Sequence, residues 1–459
     1  MKLSFTLCAF VLSLFLLFMS AACDNEKVDQ SKQKLQLVTH PEWSYNKTIY
    51  EVNIRQFSDE GNFSGFKPHL DRLQSLGVGI IWLMPIHPIG NLNRKGALGS
   101  YYSVKNYKEV NPEFGTLEEF KELVKEIHSR GMYVIIDWVA NHSAWDNIWA
   151  LNRPDFYTKD SSGNFIPPIG TDWSDVIDLD FDNVSLWNYM INAMRFWVRE
   201  CDIDGFRCDV AAMVPTEFWD KARVELNKVK PVFMLAEAHE PELHEKAFDM
   251  TYNWQLKDMM NKIATKRADV AHLDSLILWE NYNYPQNAFR MNFTTNHDEN
   301  SWNGTAYQRL GKGTHTFLAL AGTIQGMLLI YGGQEAGLNK ALEFFEKDII
   351  VWKEHEANEL LTRLNFLKME NKAMWNGEMG GELKRLKTSD DKHLFAFLRE
   401  RDGSKVLALF NLSPKKLITI LRGENIYDKY TDLMTGQIVS HSEKKEFVLE
   451  GWEYKIFYN

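Results

Sequence analysis

Three acidic side chains stand at the ends of short apolar runs. Asp209 closes Gly205-Phe206-Arg207-Cys208-Asp209, Glu237 follows Phe233-Met234-Leu235-Ala236, and Asp298 sits in Asn296-His297-Asp298 behind a third run. A fourth run ends Asp137-Trp138-Val139-Ala140-Asn141-His142. One rim would then gather three carboxylates, one arginine and two histidines. Hydrolysis of a glycosidic bond needs an ionised and a protonated carboxyl group flanking that bond. Arg207 and Asp209 are two positions apart, so on a strand they share a face. The guanidinium is expected to lower the Asp209 carboxyl and keep it ionised, as a nucleophile requires. The apolar approach to Glu237 is expected to raise that carboxyl and suit it to be the acid. A single carboxylate on a rim says little; the ordered set says more.

The elements that must hold this set are legible in the same way. Eight apolar segments read as strands: 48–56, 78–85, 132–139, 203–209, 232–237, 248–252, 289–295 and 323–331. Helix-length segments separate most of them, which predicts a closed (β/α)₈ barrel whose active site lies at the C-terminal ends of the strands. Asp209 and Glu237 are 28 positions apart, about one strand–helix unit, and Glu237 and Asp298 are 61 apart, about two. Thr116-x-x-Glu119 is a capping box, Leu117, Phe120, Leu123, Val124 and Ile127 follow at helical spacing, and Gly131 ends the helix. Residues 144–181 exceed what a crossover needs and read as an insertion that walls the barrel mouth. The catalytic barrel is expected over 45–370. From 371 to 459 the segments 393–399, 405–411, 417–422 and 446–457 predict a C-terminal antiparallel β-sandwich.

Composition narrows the partners. The 459 residues carry a net charge of −10, the wrong sign for a phosphate backbone, so nucleic acid is not expected. Fifteen Trp fit either a large core or sugar stacking. The N-terminus reads as an address. Leu3 to Met19 carry no charge, and small residues lead to Cys23 in Ser20-Ala21-Ala22-Cys23. This resembles a bacterial lipoprotein signal, with 1–22 removed, Cys23 lipidated to reach a membrane, and 23–44 a tether. A plain export signal is the alternative. In either case the mature chain leaves the cytoplasm. Cys201 and Cys208 are expected to be buried free thiols rather than a bridge.

The whole set of segments resembles the α-amylase family, glycoside hydrolase family thirteen. Asp137-Trp138-Val139-Ala140-Asn141-His142, Gly205-Phe206-Arg207-Cys208-Asp209, Glu237, Asn296-His297-Asp298 and Tyr331-Gly332-Gly333-Gln334-Glu335 occur in family order. The resemblance implies a retaining enzyme acting on α-1,4 bonds of starch-like glucans or maltooligosaccharides. Asp209 would be the nucleophile, Glu237 the acid and base, and Asp298 the holder of sugar hydroxyls. Arg207 would orient Asp209, and His142 and His297 would bind the same glucose. Tyr102 would stack on that glucose, with Tyr101 as the alternative. No cofactor is implied for the chemistry. Asn141 and Asp178 align with calcium ligands of many members, so a structural calcium ion is left open. Ala212 and Met213 stand where many members carry Lys-His, which puts both calcium and strict endo attack in question. Transglycosylation, exo attack, and glucan binding without catalysis are the rival readings.

Overall fold

The computed structural model describes residues 37–442 and 445–459. Cys23 and the address segment lie outside the described residues. Eight parallel strands close a barrel: β1 (Ile49–Val52), β2 (Ile80–Leu83), β3 (Tyr133–Trp138), β6 (Gly205–Cys208), β7 (Phe233–Ala236), β8 (Met250–Tyr252), β9 (Phe289–Asn292) and β10 (Met327–Tyr331). Two short strands, β4 (His142–Ala144) and β5 (Val176–Asp178), pair antiparallel between β3 and β6. Every expected barrel strand is present, and each is shorter than its apolar run. Residues 54–57 turn helical instead of extending β1, and 323 is the end of a helix rather than the start of β10.

Period-two alternation sorts each strand into an outer and an inner face. Ile49, Ile80, Trp82, Ile135, Phe233, Leu235, Met250, Phe289, Met291 and Met327 fill the barrel axis. The same inner rows end in charge. Ile49 leads to Glu51, Ile135 to Asp137, Gly205 to Arg207 and Asp209, and Leu235 to Glu237. The register places Asp137 beside Arg207, and Arg207 beside Leu235. At Gly205, φ is +154° and a Cβ would lie 1.8 Å from the Phe233 carbonyl oxygen. Only glycine lets β6 approach β7 there.

The helix α1 (Leu117–Ser129) has both hydrogen bonds of the Thr116–Glu119 capping box and buries Phe120, Leu123, Val124 and Ile127. Gly131 follows it at φ +74°. Residues 37–44 were expected in the tether, but they pack on the barrel floor. Trp43 stacks on Tyr133 at 3.9 Å between ring centroids, and His40 Nδ1 pairs with Asp249 at 2.8 Å.

Beyond the helix Glu356–Glu370, β11 (Leu383–Arg385), β12 (Leu394–Arg401), β13 (Ser404–Asn411), β15 (Lys429–Asp432), β16 (Ile438–Ser440) and β18 (Tyr454–Tyr458) form one antiparallel sheet. A second sheet, β14 (Leu417–Ile420) with β17 (Glu446–Leu449), covers it around Leu421, Phe447 and Leu449. The expected single strand 446–457 is two strands, because Trp452 takes φ +62° in the turn between them. Cys201 and Cys208 are buried and free.

Candidate active site

The inner rows meet at the C-terminal rim. Arg207 is wholly buried at its centre. Its Nη1 donates to Asp137 Oδ1 at 2.9 Å and to Asp209 Oδ1 at 3.0 Å, and its Nε donates to the Tyr252 hydroxyl at 3.1 Å. Nη2 lies 2.9 Å from Glu237 Oε2. The rings of Trp82, Tyr102 and Tyr252 surround the guanidinium at 5.1–5.7 Å. One cation therefore faces three carboxylates in a low-dielectric box, where charge interactions are strong.

That imbalance sets the protonation. Burial raises the Asp209 carboxyl well above its usual range, and Glu237 adds to the rise against the pull of Arg207. The expectation that Arg207 alone would hold Asp209 low is corrected: desolvation and neighbouring carboxylates outweigh one guanidinium. Burial likewise raises Asp137 to about 6 against the pull of Arg207. The expected apolar setting of Glu237 is also corrected. Its Oε2 accepts the Val210 N–H at 2.8 Å as well as facing Arg207.

The turn after Asp209 makes that contact. Val210 has φ +36°, and a β-branched residue there costs on the order of 1–3 kcal/mol. The strained turn aims the Val210 N–H at Glu237, and Ala211 N–H closes on the Glu237 carbonyl at 3.2 Å. The backbone thereby fixes the spacing of Asp209 and Glu237.

Asp298 lies on α2 (His297–Trp302), whose N-cap Asn296 accepts the Glu299 N–H at 2.8 Å. His297 Nε2 is 3.2 Å from Asp298 Oδ2 and 2.9 Å from the Tyr102 hydroxyl. Its Nδ1 meets the buried Glu51. Burial works against the imidazolium, but Asp298 and Glu51 overcome it and raise His297 to about 9. Tyr102 also donates to Asp137 at 3.1 Å, so it is the tyrosine at the site, while Tyr101 lies under Arg55. His142 Nε2 is 3.9 Å from Asp209, and burial lowers His142 to about 3, leaving it neutral.

From within 144–181, Trp173 packs on His142 at 5.2 Å between ring centroids. On the other side Phe344 stacks on Tyr102 at 6.2 Å and meets Trp302, which is 58% exposed. Phe344, Trp302, Glu51 and the role of Asp137 escaped sequence reasoning. A charged residue inside an apolar strand, as in Ile49-Tyr50-Glu51-Val52, was the available signal for Glu51.

Of the two residues aligned with calcium ligands, Asp178 accepts the Thr158 hydroxyl through Oδ2 at 2.6 Å, and Asn141 Nδ2 faces His142 Nδ1 at 3.2 Å.

A family model for the alpha-amylase catalytic domain matches residues 25–166 and 169–393. Alpha-amylase 2 of Dictyoglomus thermophilum is 25% identical over 473 residues, covering 92% of this chain and 78% of that protein. A noncanonic maltogenic alpha-amylase, AmyB, from Thermotoga neapolitana superposes with a TM-score of 0.82 at 30% identity, over 90% of this chain and 98% of that one. An alpha-amylase from Lactobacillus plantarum superposes with a TM-score of 0.81 at 29% identity, over 91% and 99% of the two chains.

Proposed function

The chain belongs to the α-amylase family of glycoside hydrolases, retaining enzymes of α-glucans, and we propose that it hydrolyses α-1,4 bonds of maltooligosaccharides or starch fragments. The observation that carries this reading is the Arg207 cluster, which holds Asp209 and Glu237 against one guanidinium beneath Asp298, His297 and Tyr102. The first step needs one ionised and one protonated carboxyl group flanking the bond, and Asp209 and Glu237 are the two groups placed to supply them.

Asp209 attacks the anomeric carbon while Glu237 gives its proton to the departing glycosidic oxygen, so the C1–O bond breaks and an Asp209 ester forms. Arg207 stays on Asp209 Oδ1 and disperses its charge. Glu237, now a carboxylate, takes a proton from water, and the water oxygen displaces Asp209 from C1. Two inversions give net retention. Asp298 and His297 hold hydroxyls of the distorted sugar, His142 donates as a neutral imidazole, and Tyr102 and Phe344 offer ring faces to its C–H groups. No metal is needed for any of these steps.

We further propose that Cys23 carries a lipid and holds the body at a membrane, on the strength of the uncharged run and small residues before it. A maltoheptaose time course tests the catalytic reading, with Glu237→Gln alongside. Shorter maltooligosaccharides from the parent and none from the variant are expected. Products longer than maltoheptaose would favour transfer to a sugar hydroxyl over water. Glucose alone from the first minutes would mean exo attack. No change in either sample would reduce the protein to glucan binding.

A further inference from the structure

The barrel floor, opposite the catalytic rim, holds a cavity of about 630 Å³. That lies within the 300–1,000 Å³ of small-molecule sites. Its barrel-side wall comes from a helix, Val270–Asn283, through Glu280 and Asn281, and from the residues entering β9 and β10. Its far wall is the 375–383 loop that leads into the C-terminal sheets, with Arg399 and Arg401 of β12. The two parts of the chain meet around a solvent-open cleft here.

The lining says what kind of molecule fits. Glu280, Glu378 and Glu382 stand against Arg290, Arg399 and Arg401, three acids to three bases. Arg399 is spent on protein carbonyls: Gly381 at 2.9 Å, Thr323 at 3.0 Å and Trp375 at 3.2 Å. Arg290 lies over the Tyr284 ring at 3.9 Å, with Nε 3.5 Å from Glu280. The balanced charge gives neither anion nor cation an advantage. Asn281, Gln286, Glu378 and Glu382 are exposed in the lining and make no side-chain hydrogen bond or ion pair among the described residues. These are planar groups able to bond two neighbouring hydroxyls at once. The half-exposed indole of Trp375 adds an apolar face beside them. Uncommitted planar amides and carboxylates around an aromatic ring, with no net charge, match a neutral polyhydroxylated ring.

We propose that this floor cavity is a second, non-catalytic site for the oligosaccharide, formed by Trp375, Asn281, Gln286, Glu378 and Glu382. It rests on the α-glucan reading above. The catalytic rim lies at the other ends of the same strands, so a glucan held on the floor is not the segment being cut. A long polymer can engage both sites, and binding at one raises its effective concentration at the other. A trisaccharide cannot gain in this way.

The test uses the full chain. Maltoheptaose binding is titrated calorimetrically to Asp209→Asn, with and without Asn281→Ala, Gln286→Ala and Glu382→Ala added together. Two binding events are expected in the first protein and one in the second. In the otherwise unaltered enzyme the three substitutions should leave maltotriose hydrolysis within about twofold and lower kcat/KM on starch about fivefold. Trp375→Leu should repeat that split, and its maltotriose rate reports that the protein is folded. A single binding event in both proteins, or equal losses on maltotriose and starch, overturns the floor site while leaving the catalytic reading intact. No binding by either protein, together with no maltotriose hydrolysis by the parent, overturns both.

Discussion

Two buried arginines sit at opposite ends of the same barrel, and their surroundings differ in one respect. On the floor, Arg223 pairs with Asp249 through both guanidinium nitrogens, at 2.7 and 3.3 Å, and its spare protons go to the carbonyls of Ala247 and Thr39. Asp249 also takes the Met234 N–H at 2.7 Å and His40 at 2.8 Å. Burial would raise the Asp249 carboxyl, but Arg223 and His40 more than offset it and hold it low. On the rim, Arg207 is shared among Asp137, Asp209 and Glu237, and burial raises Asp137 and Asp209. A balanced cluster fastens the fold. A cluster left short of positive charge keeps a proton available and waits for a partner, which is how perturbed carboxyl groups mark catalytic sites.

The comparison breaks most visibly at Asp209. Asp209→Asn removes the proposed nucleophile and one uncompensated carboxyl, so kcat should fall by about 10⁴ or more while the urea midpoint holds or rises. Activity above about a hundredth of the parent would take the nucleophile's place away from Asp209. The floor should respond in the opposite sense. Asp249→Ala leaves Arg223 buried and unpaired, which costs about 3–5 kcal/mol of stability. The turnover of the protein that remains folded should be close to the parent's, and active-site titration against a denaturation curve separates the two quantities.

Glu51→Gln sharpens the contrast within the rim. His297 is raised to about 9 from an ordinary 6.5, so its charge contributes stability that is complete below pH 6.5 and lost as pH rises through 9. Glutamine keeps an oxygen near Nδ1 but removes the charge. The dependence of Tm on pH between 7 and 9 should flatten, and the alkaline limb of kcat/KM should move to lower pH. An unchanged pH profile would leave Glu51 a packing residue. The smallest effect is expected from chelation. EGTA should leave Tm unmoved and change the rate by less than about twofold, because Asp178 Oδ2 and Asn141 Nδ2 are already engaged by Thr158 and His142.

What the sequence disclosed follows from where each signal resides. Barrel strands are buried on both faces, so their apolar runs stand out, and Arg207 and Asp209 share a face by strand period alone. β15 and the edge strand β16, Lys-Tyr-Thr-Asp and Ile-Val-Ser, are short and half exposed, and they carry no such run. The protonation of Asp209 was not legible either. Asp137 and Glu237 reach it only when β3, β6 and β7 come together, and a sequence shows the arginine two positions away but not the carboxylates that outnumber it. The left-handed turn at Val210 has no sequence signature, since valine is among the residues least suited to it.

The most direct test of the rim's chemistry is the anomeric form of the first product. Proton NMR of maltotriose hydrolysis, read before mutarotation, should show the α-anomer appearing first and the β-anomer growing only later. A β-anomer first would mean single displacement by water, and Asp209 and Glu237 could not then act as the proposed nucleophile and acid.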